Sequence, residues 1–212
     1  MKTDDLISAL AADSEVHPIA PGRALALALI PGVAIALVLH FAVFGLRPNL
    51  WSLLGEPELL FKLCLTALLV ALAGALLLRI ARPGARVRPA ALMLAIVPAL
   101  LALANLAELF AVPTVEWGER LVGANAIFCL KSIPFLAAAP LVAALLALRQ
   151  GAPENPALAG AAAGLFAGAV GAACYATHCP DDSPLFVAAW YSLAIGFTAA
   201  IGAVAGSRLL RW

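Results

Sequence analysis

Charged residues are scarce in this sequence: Asp, Glu, Lys and Arg make up 12% of its 212 residues, whereas soluble domains carry about a quarter. Water is therefore not the chain's main solvent, and no polar stretch is long enough to form a separate soluble domain. Two cysteine and histidine patterns are also missing. There is no Cys-x-x-Cys, which argues against a thioredoxin-like centre, and no His-Glu-x-x-His, which argues against a dedicated zinc site. The first 20 residues lack the basic start and apolar core of a signal peptide. Thr3-Asp4-Asp5 and Asp13-Ser14-Glu15 stand there instead, so the N-terminus is expected to be kept. The net charge of +1 is too small for a nucleic-acid footprint.

What is present is apolar: 64% of the residues, with a mean hydropathy of +1.02. Apolar runs at 24–44, 59–78, 90–110, 124–148, 157–176 and 185–207 are each long enough to cross a bilayer, which needs about 20 residues. The expected fold is all-α: a polytopic bundle of six transmembrane helices in residues 23–212, preceded by a cytoplasmic segment, 1–22. The loops between the helices are short and rich in Pro, Gly and charge.

Positive loops stay on the cytoplasmic side. With the N-terminus inside, the inner face carries Lys2, Arg23, Arg79, Arg82, Arg86, Arg88, Arg149, Arg208 and Arg211, and the outer loops carry only Arg47 and Arg120. This fits an inner-membrane protein with both termini in the cytoplasm. Lys62 and Lys131 fall just inside outer helix ends, where a long side chain can snorkel to the interface, and Glu58 is spaced to pair with Lys62. Gly160, Gly164 and Gly168 on the fifth run, and Gly202 and Gly206 on the sixth, suit close packing of these two helices. Pro134 and Pro140 should kink the fourth.

In this topology Cys64, Cys129, Cys174 and Cys179 all fall at or near the outer ends of their helices, together with His40 and His178. That is the oxidising side of a bacterial membrane. Cys64 and Cys174 read as small core residues, His40 as a satisfied histidine at the interface, and Glu108 as interfacial. Cys179 differs, because the loop His178-Cys179-Pro180-Asp181-Asp182 gathers a soft thiol, an imidazole and two carboxylates. Its expected partner is Cys129, on another helix near the same face, and Lys131 could lower that thiol's pKa. The N-terminal stretch Lys2 to Ala11 reads as an amphipathic helix: Thr3 can cap it, Asp4 and Asp5 suit its first turn, and Leu6, Ile7 and Leu10 form a stripe fit for a partner's groove, the alternatives being a frayed tail or a helix lying on the bilayer. Nothing calls for a cofactor.

The opening MKTDDLISALAAD, the stretch Cys129-Leu130-Lys131-Ser132-Ile133-Pro134 and the closing run from His178, with CPDDSPLF leading to Trp190-Tyr191, resemble the NrsF family of integral-membrane anti-sigma factors. The resemblance implies a regulator, not an enzyme. Such a protein would hold an extracytoplasmic-function sigma factor through its cytoplasmic N-terminal segment and release it under metal or oxidative stress. The family's paired periplasmic cysteines would map onto Cys129 and Cys179, leaving Cys64 and Cys174 as additional. The residues alone also admit a quinone-linked membrane thiol oxidoreductase, which would want closely spaced cysteine pairs, or a small transporter, which would want charges at mid-membrane depth.

Overall fold

The computed structural model describes residues 3–12, 21–82, 84–151 and 153–211. Among them there is no strand, and six helices are long and apolar enough to cross a membrane: Gly22–Val43, Pro57–Ile80, Arg88–Ala111, Thr114–Leu148, Pro156–Ala176 and Pro184–Leu209. The apolar runs of the sequence coincide with these helices to within a few residues, except that helical structure in the fourth begins ten residues early. The short helix α1 (Thr3–Ala12) opens the chain, with Asp4 and Asp5 in its first turn. Ile7 is exposed there, and the side chains of Leu6 and Leu10 lie outside the described residues.

Prolines mark where four of the helices begin. α2 (Pro21–Val43), α3 (Pro57–Ile80), α8 (Pro156–Ala176) and α9 (Pro184–Phe186) each start on one, where the missing N–H is not needed and φ is already helical. Inside a helix, proline acts differently from place to place. α7 (Ala126–Leu148) runs unbroken through Pro134 and Pro140, but the third span divides at Ala95 into α4 (Arg88–Leu94) and α5 (Ile96–Ala111). Pro98 accounts for the break, since its ring crowds the carbonyl four residues back and it cannot donate to it. Between α5 and α7 a 3-10 turn, Thr114–Glu116, leads into α6 (Trp117–Val122), where the sequence suggested only a loop.

The bundle's tightest seam joins α8 to α10 (Ser192–Leu209). Glycine makes it possible. A Cβ at Gly160 would run into the Gly202 carbonyl, one at Gly164 into the Thr198 carbonyl, and one at Gly206 into the Pro156 carbonyl. The glycines therefore bring two backbones of the same bundle together, as their spacing led one to expect. α8 is the central helix, buried along most of its length against α7, α3 and α10. Between α9 and α10, Val187–Tyr191 forms a π-helical turn that the sequence did not announce. Such a turn widens the helix locally and is frequent at functional sites.

Candidate functional site

The cysteine-bearing end of the bundle is built around the segment from Thr177 to Ser183, which joins α8 to α9. α8 continues past its last residue by one turn, with the amides of His178 and Cys179 both donating to the Tyr175 carbonyl at 3.0 Å, and this turn drives Cys179 into the protein. Cys179 has 0% exposure, as does Cys129 one turn into α7. The two thiols are free and lie within electrostatic reach of each other, of Lys62 and of Asp181. Burial pushes the Cys179 thiol above its ordinary pKa, and the Lys62 ammonium partly offsets this. Tyr175 and Tyr191 stand beside the two thiols, with the Tyr191 hydroxyl buried against Cys179.

Several neighbouring elements grip this segment. From α3, Lys62 Nζ donates to the Cys179 carbonyl at 2.8 Å and the Asp181 carbonyl at 3.3 Å, and pairs with the Asp182 carboxylate. Arg47 pairs with the same carboxylate at 2.9 Å, and its own backbone N–H donates to the Thr177 carbonyl at 3.2 Å. The Asp181 carboxylate accepts from the Ala124 and Asn125 N–H groups at 3.3 and 3.0 Å and from Asn125 Nδ2 at 2.9 Å, anchoring the start of α7. Cys179 Sγ approaches Asp181 Oδ2 at 4.0 Å. Gly123, with φ of +57°, makes the turn into α7; a side chain there would strike Phe186 and Asp181. His178 Nδ1 lies 3.2 Å from the Gly45 carbonyl, and its ring packs on Phe44 and Tyr175.

Glu108 anchors the far side. Its Oε1 accepts from Ser183 Oγ at 2.7 Å and from Arg120 at 3.0 Å, and its Oε2 from the Leu185 N–H at 3.0 Å, so a carboxylate of the third span caps the start of the last one. Arg120 also contacts Glu58 at 3.4 Å.

Several sequence expectations need correction. Lys62 does not snorkel to the surface; it has 0% exposure, because the loop brings it carbonyls and a carboxylate that replace water. Glu58 pairs with Arg120 and not with Lys62. Glu108 is buried and fully engaged instead of resting at an interface. Cys64 is exposed on the bundle's side, whereas Cys174 is a core residue as expected. His40 is buried, its Nε2 lying 3.0 Å from Thr177 Oγ1 while its Nδ1 has no partner. Lys131 is exposed, two residues and so about 200° round α7 from Cys129. The cation near the thiols is Lys62, and a charge one turn inside an apolar run was the signal for it. Among the described residues, no three His, Cys, Asp or Glu side chains are grouped to hold a metal ion.

No solved structure matches the chain. Two curated proteins match it from end to end, covering all of both partners: the anti-sigma-F factor NrsF of Caulobacter vibrioides at 39% identity and the probable anti-sigma-F factor NrsF of Azospira oryzae at 36%. These are regulatory proteins and not enzymes, which removes the support for the oxidoreductase alternative. The family model described as negative regulator of sigma F matches residues 10–212, and the chain belongs to that family, NrsF.

Proposed function

We propose that this chain is a membrane anti-sigma factor that holds an extracytoplasmic-function sigma factor through residues 1–22 and releases it when Cys129 and Cys179 react with an oxidant or a metal ion. In this reading the six helices of residues 23–212 sit in the bacterial inner membrane with both termini in the cytoplasm. Family membership supports the anti-sigma role. Six apolar helices and the gathering of arginines at one set of helix ends support the membrane and its orientation. The observation that carries the sensing half is that two buried free thiols, one on α7 and one on the loop before α9, lie within electrostatic reach of each other, the loop being held by α3, Arg47 and the start of α7.

Two chemistries fit the pair. An oxidant can accept two electrons as the thiols lose two protons and join as a disulfide. Alternatively, a soft metal ion can displace both protons and bind the two thiolates. Either one reshapes the loop, and a coupling of about 1–3 kcal/mol to the sigma-binding state is enough to change occupancy several-fold to a hundred-fold.

The test is transcription from a sigma-dependent reporter in cells carrying wild-type protein or Cys129→Ser/Cys179→Ser, at matched membrane levels, with and without oxidant or metal. The double variant is expected to keep the reporter silent under stress that activates the wild type. An equal response would refute the sensing role. For the partner-binding half, Asp at Leu6, Ile7 and Leu10 should abolish co-purification with the sigma factor, and undiminished binding would refute it. Thr3, Asp4 and Asp5, which open α1, belong to the same proposed contact.

A further inference from the structure

Neither thiol can meet a reagent in the structure as it stands, since Cys129 and Cys179 both have 0% exposure. A sensing pair so placed needs a way in, and the segment Thr177 to Ser183 carries one of the two thiols itself. Most grips on this segment are ordinary, among them backbone amides of Ala124 and Asn125 on Asp181, the Ser183 hydroxyl on Glu108, and Arg47 on Asp182. The grip of Lys62 is not. Lys62 is a fully buried ammonium within an apolar helix, and among the described residues the partners of its Nζ all come from this one segment: two carbonyls and the Asp182 carboxylate.

This makes the loop and the lysine mutually dependent. A buried ammonium is tolerated only while its partners replace water, so the loop cannot lift without leaving the charge bare until water follows it in. The pair thus gives the cover two discrete positions, closed on Lys62 or open to water. We propose that Lys62 is a latch that holds the 177–183 loop closed over Cys129 and Cys179, so that loop opening, and not thiol chemistry alone, sets how readily outside reagents reach the pair. The proposal deepens the sensing reading and rests on that reading only for its consequence in the cell. The latch itself is a property of the isolated protein.

The test uses the full chain in nanodiscs, in a Cys64→Ser/Cys174→Ser background, with a membrane-impermeant maleimide as probe. Lys62→Met and Asp182→Asn are each expected to raise the labelling rate of Cys179 at least tenfold, equivalent to about 1.4 kcal/mol on the opening equilibrium. A cysteine introduced as Ala144→Cys, at a fully buried position of α7 away from the loop, reports folding. It should stay unlabelled in both variants. If Lys62→Met exposes that reporter, the variant has unfolded, and Asp182→Asn decides, since it keeps the ammonium and both carbonyl contacts. Cys179 labelling within twofold of wild type in a folded Asp182→Asn protein would overturn the latch. Failure of the sensing reading looks different: in cells, Cys129→Ser/Cys179→Ser would respond to stress as wild type does, while the labelling difference would persist.

Discussion

Glu108→Gln isolates the cost of disturbing the carboxylate that ties the third span to the last. The substitution keeps the shape of the side chain but replaces two acceptor oxygens with one acceptor and one donor. Three donors now converge on Glu108: Ser183 Oγ and Arg120 on Oε1, and the Leu185 N–H on Oε2. Whichever way the amide faces, its NH2 group meets a donor. Arg120 is about one-third exposed, so its share is screened and small. The Ser183 bond is buried and the Leu185 bond part-buried; both are charge-assisted, each worth about 1.5–3 kcal/mol, and the neutral amide retains part of one. The net loss is about 3 kcal/mol, which for a chain of this size corresponds to a fall of roughly 6–12 °C in Tm. Thermal unfolding in detergent, followed with a thiol-reactive dye in a Cys64→Ser background, reads this directly because the remaining three cysteines are buried. A Tm within 1 °C of the parent would refute the account of Glu108 as a buried cap on the last helix.

Gly202→Ala should destabilise the bundle by about 1–3 kcal/mol, since its Cβ would collide with backbone atoms of Gly160 and Gly164 that cannot rotate away; the same melt checks it. Gly123→Ala combines a positive φ with a contact of 2.6 Å to Phe186, so a loss of at least about 2 kcal/mol is expected, together with faster labelling of Cys179 as the turn below Asp181 shifts. Among the native thiols, Cys64 should react first with a lipophilic maleimide, and prior reaction of Cys129 would contradict the packing. The Cys179 thiol, raised above its ordinary pKa by burial, is protonated at neutral pH. Its alkylation rate in a Cys64→Ser/Cys129→Ser/Cys174→Ser background should therefore keep climbing with pH beyond the range in which a free thiol levels off. A plateau below that range would show a thiolate stabilised by Lys62 more strongly than burial disfavours it.

The six long helices were legible because a bilayer demands about 20 apolar residues, and their starts at Pro21, Pro57, Pro156 and Pro184 follow from proline's fit to a first helical turn. The α8 to α10 seam was legible too, since glycines four apart leave a groove that only another backbone fills. Rotation of each helix about its axis was not legible. These helices are apolar all round, so periodicity does not say which face is buried, and Cys64 and Cys129, each early in a span, look alike until their neighbours are in place. The same ambiguity hid Lys62. A lysine one turn from a helix end can snorkel out or turn in, and the choice depends on whether a loop distant in sequence brings acceptors to it, as Cys179, Asp181 and Asp182 do. Glu108 is the third case, since its partners lie 75 and 77 positions further along the chain.

The position of the loop limits how a disturbance of it can travel under the proposed function. The loop leaves α8 and leads through α9 and the π turn into α10, and those two long helices are fixed to each other by backbone contacts at Gly160, Gly164, Gly202 and Gly206. A segment whose ends enter one rigid pair cannot easily drive that pair apart. It can change its hold on the other helices: α3 through Lys62, α5 through Glu108, and α7 through Asn125 and Cys129. Two of these lead directly to the arginine-rich end, α3 finishing with Arg79 in its last turn and α7 with Arg149 at its cap. A signal taken up at the loop thus leaves through α3, α5 and α7, with α8 and α10 as the frame against which they move. Cross-links between α8 and α10 should leave stress-induced release of the sigma factor intact, and cross-links from α3 to α8 should abolish it; the reverse pattern would sink the argument.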